Sequence, residues 1–237
     1  MNNLYDLSTG LIRRLYDKRL SDSPVLDMAA RFPEARRFVA DWRALRDEAL
    51  MLAENLGQVP RFHELMMEQA SISANDGRDW RMFVLKAYGV PVSRNMSRCP
   101  RLAALVEETP DVLSAALSFL APHKHIPSHR GPFRGVLRFY LGLAVPIAPD
   151  GRPATVLTID GIEYHIASGE ALLWDDTFPH EVRNDSEAPR IALLLDIRRR
   201  GMPPDMELLS RLLIGVAGTA VWMRSRNENH GSEARRQ

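Results

Sequence analysis

Cysteine is almost absent, with Cys99 the only one in 237 residues. A lone thiol forms no internal disulfide and builds no multi-thiolate zinc site, which fits a reducing compartment. An excess of charge is also missing, because 31 basic residues stand against 30 acidic ones. That balance removes the broad electrostatic footprint of a nucleic-acid binder, so no nucleic-acid partner is expected. No secretory signal is expected either, since the leucines of residues 1–16 are interrupted by Asp6, Ser8, Thr9, Arg13 and Arg14. The expected location is the cytoplasm. The most apolar stretch, 208–223, carries Arg211 as its single charge, and it is shorter than the ~20 residues a bilayer requires. It reads either as a helix docked on the core or as one lying on the inner face of a membrane, with Arg224 and Arg226 near anionic headgroups. Apolar residues make up 45% of the chain. A chain of this length buries roughly 70% of its unfolded surface, so any bound metal would serve function and not folding.

What is present divides into a helical part and a β part. Phe38, Val39, Trp42, Leu45, Ala49, Leu52 and Leu56 recur at helical spacing opposite Arg36, Arg37, Asp41, Arg43, Arg46, Asp47 and Glu48, which predicts one amphipathic helix over about 33–57. A second helix is predicted over 100–108, stopped by Pro110. From there the texture changes to short runs rich in Val, Ile, Leu, Phe and Tyr: 113–120, 135–143, 154–159, 162–166, 171–174 and 190–197. Asp160-Gly161 between two of them is tight-hairpin chemistry. The expected fold is mainly β with flanking helices, a sandwich or jelly roll. Its expected organisation is a helical region over 1–110 packed on the roll, a β core over 111–200, and an apolar helix with a disordered polar tail (224–237) over 201–237.

Three of the seven histidines, His123, His125 and His129, fall in the loop-like stretch 122–132, and His180 follows in Asp175-Asp176-Thr177-Phe178-Pro179-His180-Glu181. In a jelly roll, one histidine from the first half and one from near the end meet at the mouth, and two neutral imidazoles there suit a metal. Arg138 and Arg190 each follow one of these histidines. A guanidinium inside a roll needs an anion to offset its desolvation, and a dicarboxylate would serve. The plainer readings are an ion pair of Arg190 with Asp196, Glu187 or another acidic residue, a solvent-facing Arg138, and turn formation by Asp175 and Asp176.

The stretch His129-Arg-Gly-Pro-Phe-Arg-Gly-Val-Leu-Arg138-Phe-Tyr-Leu-Gly-Leu, with Asp-Asp-Thr-Phe-Pro-His180-Glu-Val and Arg190, resembles the aspartyl/asparaginyl β-hydroxylase family. These are iron(II)- and 2-oxoglutarate-dependent oxygenases on a cupin-like double-stranded β-helix. Residues 32–53, Cys99-Pro100 and the C-terminal helix extend a weaker likeness to the bacterial lipid A 2-hydroxylase branch, which acts on an acyl chain and usually begins with a membrane segment; none is expected here. The resemblance implies Fe(II), 2-oxoglutarate and O2 as reaction partners, with His129 and His180 as iron ligands. It implies that Arg190, helped by Ser118, binds the distal carboxylate of 2-oxoglutarate, and that Arg138 sits near the other. Tyr140 stands where relatives often carry a histidine near the cosubstrate.

Gly131 stands where most such oxygenases place a third, carboxylate ligand. Animal aspartyl/asparaginyl hydroxylases share that glycine, so the first expected reaction is hydroxylation at the β-carbon of an Asp or Asn side chain in a peptide or amino acid. The alternatives are a lipid acyl chain as substrate, halogenation with chloride in the vacant position, and a non-enzymatic β-roll whose metal site has decayed.

Overall fold

A computed structural model describes residues 2–234. Helices α1 (Asn2–Asp17), α2 (Met28–Arg31), α3 (Ala35–Ala40), α4 (Trp42–Ala53), α5 (Phe62–Leu65) and α6 (Ala70–Ser73) lead into strands β1 (Trp80–Ala87) and β2 (Val90–Pro91). Helices α7 (Ser93–Met96) and α8 (Pro100–Glu107) follow. The rest of the roll is β3 (Val112–Leu120), β4 (His125–His129), β5 (Val136–Ala144), β6 (Thr155–Ile159), β7 (Ile162–Tyr164), β8 (Ala171–Trp174), β9 (His180–Asn184) and β10 (Arg190–Arg198), and α9 (Pro204–Ala234) closes the described chain. Two antiparallel sheets, ordered β2-β1-β3-β10-β5-β8 and β4-β9-β6-β7, face each other as a double-stranded β-helix.

The predicted helix over 33–57 is two helices. Asp41 leaves helical geometry (φ −94°, ψ 7°), and its carboxylate pairs with Arg101 of α8. Phe38, Leu45, Ala49 and Leu52 still bury against the outer face of the larger sheet, where Phe32, Phe38 and Phe139 form one aromatic cluster. Buried Glu48 of α4 accepts the N–H groups of Arg101 (2.6 Å) and Leu102 (3.1 Å), capping α8 where Pro100 opens it. Asp160 and Gly161 take positive φ (49° and 82°) and set Ile159 opposite Ile162, the left-handed pair that a two-residue hairpin requires.

Three parts of the sequence reading are corrected. The region 1–110 is not wholly helical: β1 adds to the larger sheet beside β3, with Phe83 and Leu85 on its outer face and Trp80 and Met82 on its inner face. The stretch 122–132 contains β4, an edge strand, the position in a sheet that tolerates Pro127. The segment 224–234 continues α9 instead of forming a disordered tail; 235–237 lie outside the described residues.

Candidate active site

The two expected histidines meet. The antiparallel pairing of β4 with β9 sets His129 directly opposite His180, with ring centroids 4.2 Å apart. Each ring donates from Nδ1 to a carbonyl two residues earlier, His129 to Pro127 (2.9 Å) and His180 to Phe178 (3.0 Å). Those bonds fix the tautomer and leave both Nε2 lone pairs unprotonated. Burial pushes both pKa values down, His180 to about 3 with the neighbouring His129 adding to the effect. Both rings are therefore neutral at physiological pH, the form that binds metal. His123 and His125 stand apart, facing Glu187 and Glu181.

Arg190 opens β10 in the larger sheet and is 2% exposed. Its Nη1 donates to the hydroxyl (3.1 Å) and carbonyl (3.3 Å) of Ser118 on adjacent β3, and its Cζ lies 5.8 Å from the Tyr140 ring centre. Among the described residues no carboxylate pairs with it, and its Nε has no partner. Burial lowers its pKa and depresses the ionisation of Tyr140 beside it. The plainer reading, an ion pair with Asp196, is not formed, because Asp196 pairs with Arg138 at 2.7 Å. A buried guanidinium without a counter-charge is costly unless an anion joins it. Ser118 already accepts from Arg190 and from Trp80 Nε1 (3.0 Å), so its own O–H is left to donate inward. Trp80 lies on the strand that sequence reasoning missed.

Arg138 is held by two carboxylates, Asp196 and, at 3.2 Å, Asp176. Burial works against its charge, and the two acids outweigh it. It is neither solvent-facing nor a vacant anchor like Arg190. Asp176 occupies a telling place. A Cβ added to Gly131 would lie 2.1 Å from Asp176 Oδ1 and 2.4 Å from Cγ, so the carboxylate fills the space a side chain at 131 would need. The Gly131 N–H also donates to the Asp176 carbonyl at 2.7 Å. Burial, with Asp196 and Asp175 nearby, pushes the Asp176 pKa up to about 7 despite Arg138. No third histidine, cysteine or carboxylate joins the imidazoles in a metal-ligating group among the described residues.

Asp175 does more than form a turn. Fully buried, it accepts from Arg134 Nε (2.7 Å), Thr177 Oγ1 (2.6 Å) and Arg199, which also pairs with Asp22. Arg134 reaches on to Asp17 and to the carbonyl of Leu20. This network secures the turn leading into His180. The sequence signal for it was the pair of acids at 175 and 176, one serving the fold and one the site.

His129 and His180 face each other across β4 and β9, and Arg138, Asp176 and Gly131 form a second contact group. Residues 39–200 match the family described as Aspartyl/Asparaginyl beta-hydroxylase. The chain belongs to that hydroxylase family. Among its relatives, the ornithine lipid ester-linked acyl 2-hydroxylase of Rhizobium tropici is 35% identical over 178 residues, which cover 75% of this chain and 61% of that one. The aspartyl/asparaginyl beta-hydroxylases of Mus musculus and Homo sapiens are 24% and 25% identical, each match covering 69% of this chain and 21% of theirs. The chain thus spans less than two thirds of the length of these relatives. Among solved structures, a Pseudomonas putida prolyl-4-hydroxylase aligns with a TM-score of 0.42 at 16% identity, covering 69% of this chain and 88% of that one.

Proposed function

We propose that the protein is an iron(II)- and 2-oxoglutarate-dependent hydroxylase of the acyl chain of a membrane lipid. The carrying observation is the facing pair of neutral imidazoles, each with Nδ1 turned to a backbone carbonyl, together with a buried Arg190 that pairs with no carboxylate among the described residues. The donor set fits an iron(II) ion held by His129 and His180, and Arg190 with Ser118 fits one end of a dicarboxylate. Bound iron and 2-oxoglutarate supply the oxidising chemistry, in which O2 and 2-oxoglutarate yield succinate, carbon dioxide and one oxygen atom inserted into an unactivated C–H bond.

The chain's own residues orient and exclude. Carbonyls of Pro127 and Phe178 hold the imidazole tautomers, and Ser118 fixes the guanidinium. Arg138 keeps Asp176 beside Gly131. Tyr140, Trp174, Leu157 and Ile159 wall the interior with apolar surface that keeps water from the reaction.

For the substrate, similarity to the acyl 2-hydroxylase at 35% outweighs that to the Asp/Asn hydroxylases at 24–25%. The sequence reading put Asp/Asn first on Gly131; the acyl chain now takes its place. An apolar outer face on α9, with Leu208, Leu212 and Val216 exposed, also favours a lipid. The test incubates purified protein with iron(II), 2-oxoglutarate and either an ornithine lipid or Asp- and Asn-containing peptides. A mass gain of one oxygen on the ester-linked chain, coupled to succinate, is expected. The same gain on the peptide alone would overturn the acyl assignment, and no succinate from any incubation would overturn the oxygenase.

A further inference from the structure

Helix α9 is apolar on both sides. Met206, Ser210 and Ile214 form its inner stripe, buried with Tyr16, Phe133 and Val136. Turned away from them are Leu208, Leu212, Val216 and Met223, between 51% and 70% exposed. The helix begins at Pro204, and 204–223 is long and apolar enough by composition to cross a membrane, with only 17% buried. Its inner stripe is committed to protein, so a surface position suits it and a crossing does not.

Helix α1 extends this face. It runs antiparallel beside α9, because Tyr16 bonds Ser210 (2.7 Å) and Arg19 pairs with Asp205 (2.7 Å). Leu11 and Leu15 form an i, i+4 pair on α1, Arg19 lies in the turn just after that helix, and Asp205, Leu208, Leu212 and Val216 form one stripe of α9. The Arg19–Asp205 bridge ties the turn after α1 to the first turn of α9, and Leu11 (70% exposed) and Leu15 (45%) add apolar surface beside it. Over residues 10–20 and along α9 as far as Met223, each acid is matched: Asp17 by Arg134, Asp205 by Arg19, Glu207 by Arg211. Arg14 and Lys18 are exposed and enter no ion pair among the described residues. The face is thus apolar with unmatched positive charge, complementary to a bilayer with anionic headgroups.

The same helix is fastened to the active site. Arg13 lies 3.4 Å from the Gly131 carbonyl, Asp17 pairs with Arg134 at 3.1 Å, and Phe133 packs on Tyr16. We propose that α1 and α9 form one docking surface for a bilayer carrying anionic lipid, holding the loop after His129 close to the membrane. Its purpose rests on the acyl-chain reading; its test does not.

The full-length protein, without iron or 2-oxoglutarate, is floated with phosphatidylcholine vesicles containing or lacking phosphatidylglycerol. Wild type should float with the anionic vesicles, less so as salt rises. L212E/V216E, at exposed positions that leave the inner stripe intact, should reduce the floated fraction at least tenfold while keeping the wild-type melting temperature. R14E/K18E should lose the preference for anionic lipid. The proposal fails if wild type stays in the soluble fraction with every vesicle, or if both variants float like wild type. It also fails if the protein sizes as a dimer that L212E dissociates, because a second copy would then cover the face. A protein that floats but leaves acyl chains unmodified keeps the docking surface and loses the lipid reading.

Discussion

At Gly131 a single hydrogen decides the local chemistry. Asp176 reaches the space beside it because no Cβ is present, so its carboxylate occupies the volume that any side chain at 131 would need. Gly131→Ala must push that carboxylate off Arg138 or shift the loop. Overpacking of this kind costs about 1–3 kcal/mol, to be read as a lower urea midpoint. Adding Asp176→Ala removes the clash, so the double variant should regain more than half of the loss. If the double variant is no more stable than Gly131→Ala, the conflict is with backbone and not with Asp176. Gly131→Asp is expected to be worse than Ala, since it adds a second acid beside one whose pKa is already raised.

Among the elements, the turn between β8 and β9 is where charge is most deeply invested. Asp175 lies between Arg134 and Arg199, both almost wholly buried. Asp175→Asn leaves two buried guanidiniums short of a counter-charge, a change that costs about 3–5 kcal/mol, measurable by urea unfolding. Loss of the exposed Glu207–Arg211 pair should cost under about 1 kcal/mol. Equal losses at the two places would mean that the network is not what holds the turn. How much could be read beforehand also sorts by element. Strands with apolar runs, β3, β5 and β10, were legible along with the Asp160-Gly161 hairpin, since local pattern and burial agree there. Strands β4 and β9 were not, because Pro127 and the polar run His180–Asn184 imitate loop, yet these are the strands that carry the histidines. Strand β1 was hidden because apolar residues lie on both of its faces and erase the alternation. At the candidate site, the meeting of His129 and His180 and an Arg190 turned into the roll could be anticipated from their positions and from the family resemblance. The partners of Arg138 and the position of Asp176 could not, because they depend on which strands face each other.

Across the whole molecule, the smaller sheet supplies the imidazoles through β4 and β9, while the larger supplies Ser118 and Arg190 through β3 and β10. A metal held by one sheet and a dicarboxylate gripped by the other would tie the two together, so binding should register as global stability. A ligand at a hundredfold excess over its Kd contributes about 2.7 kcal/mol, and for a chain of this length each kcal/mol raises Tm by roughly 2–4 °C. Under anaerobic conditions, iron(II) alone and then 2-oxoglutarate should therefore raise Tm in two separate increments. His180→Ala removes a metal donor and should abolish the first increment. Arg190→Met replaces the unpaired guanidinium with an apolar side chain of similar length. It should raise the stability of the free protein, because a buried charge with no carboxylate beside it among the described residues is gone, and keep the iron increment while losing that of 2-oxoglutarate. A 2-oxoglutarate shift that survives in Arg190→Met would move the carboxylate anchor elsewhere and leave the buried guanidinium without an assigned role.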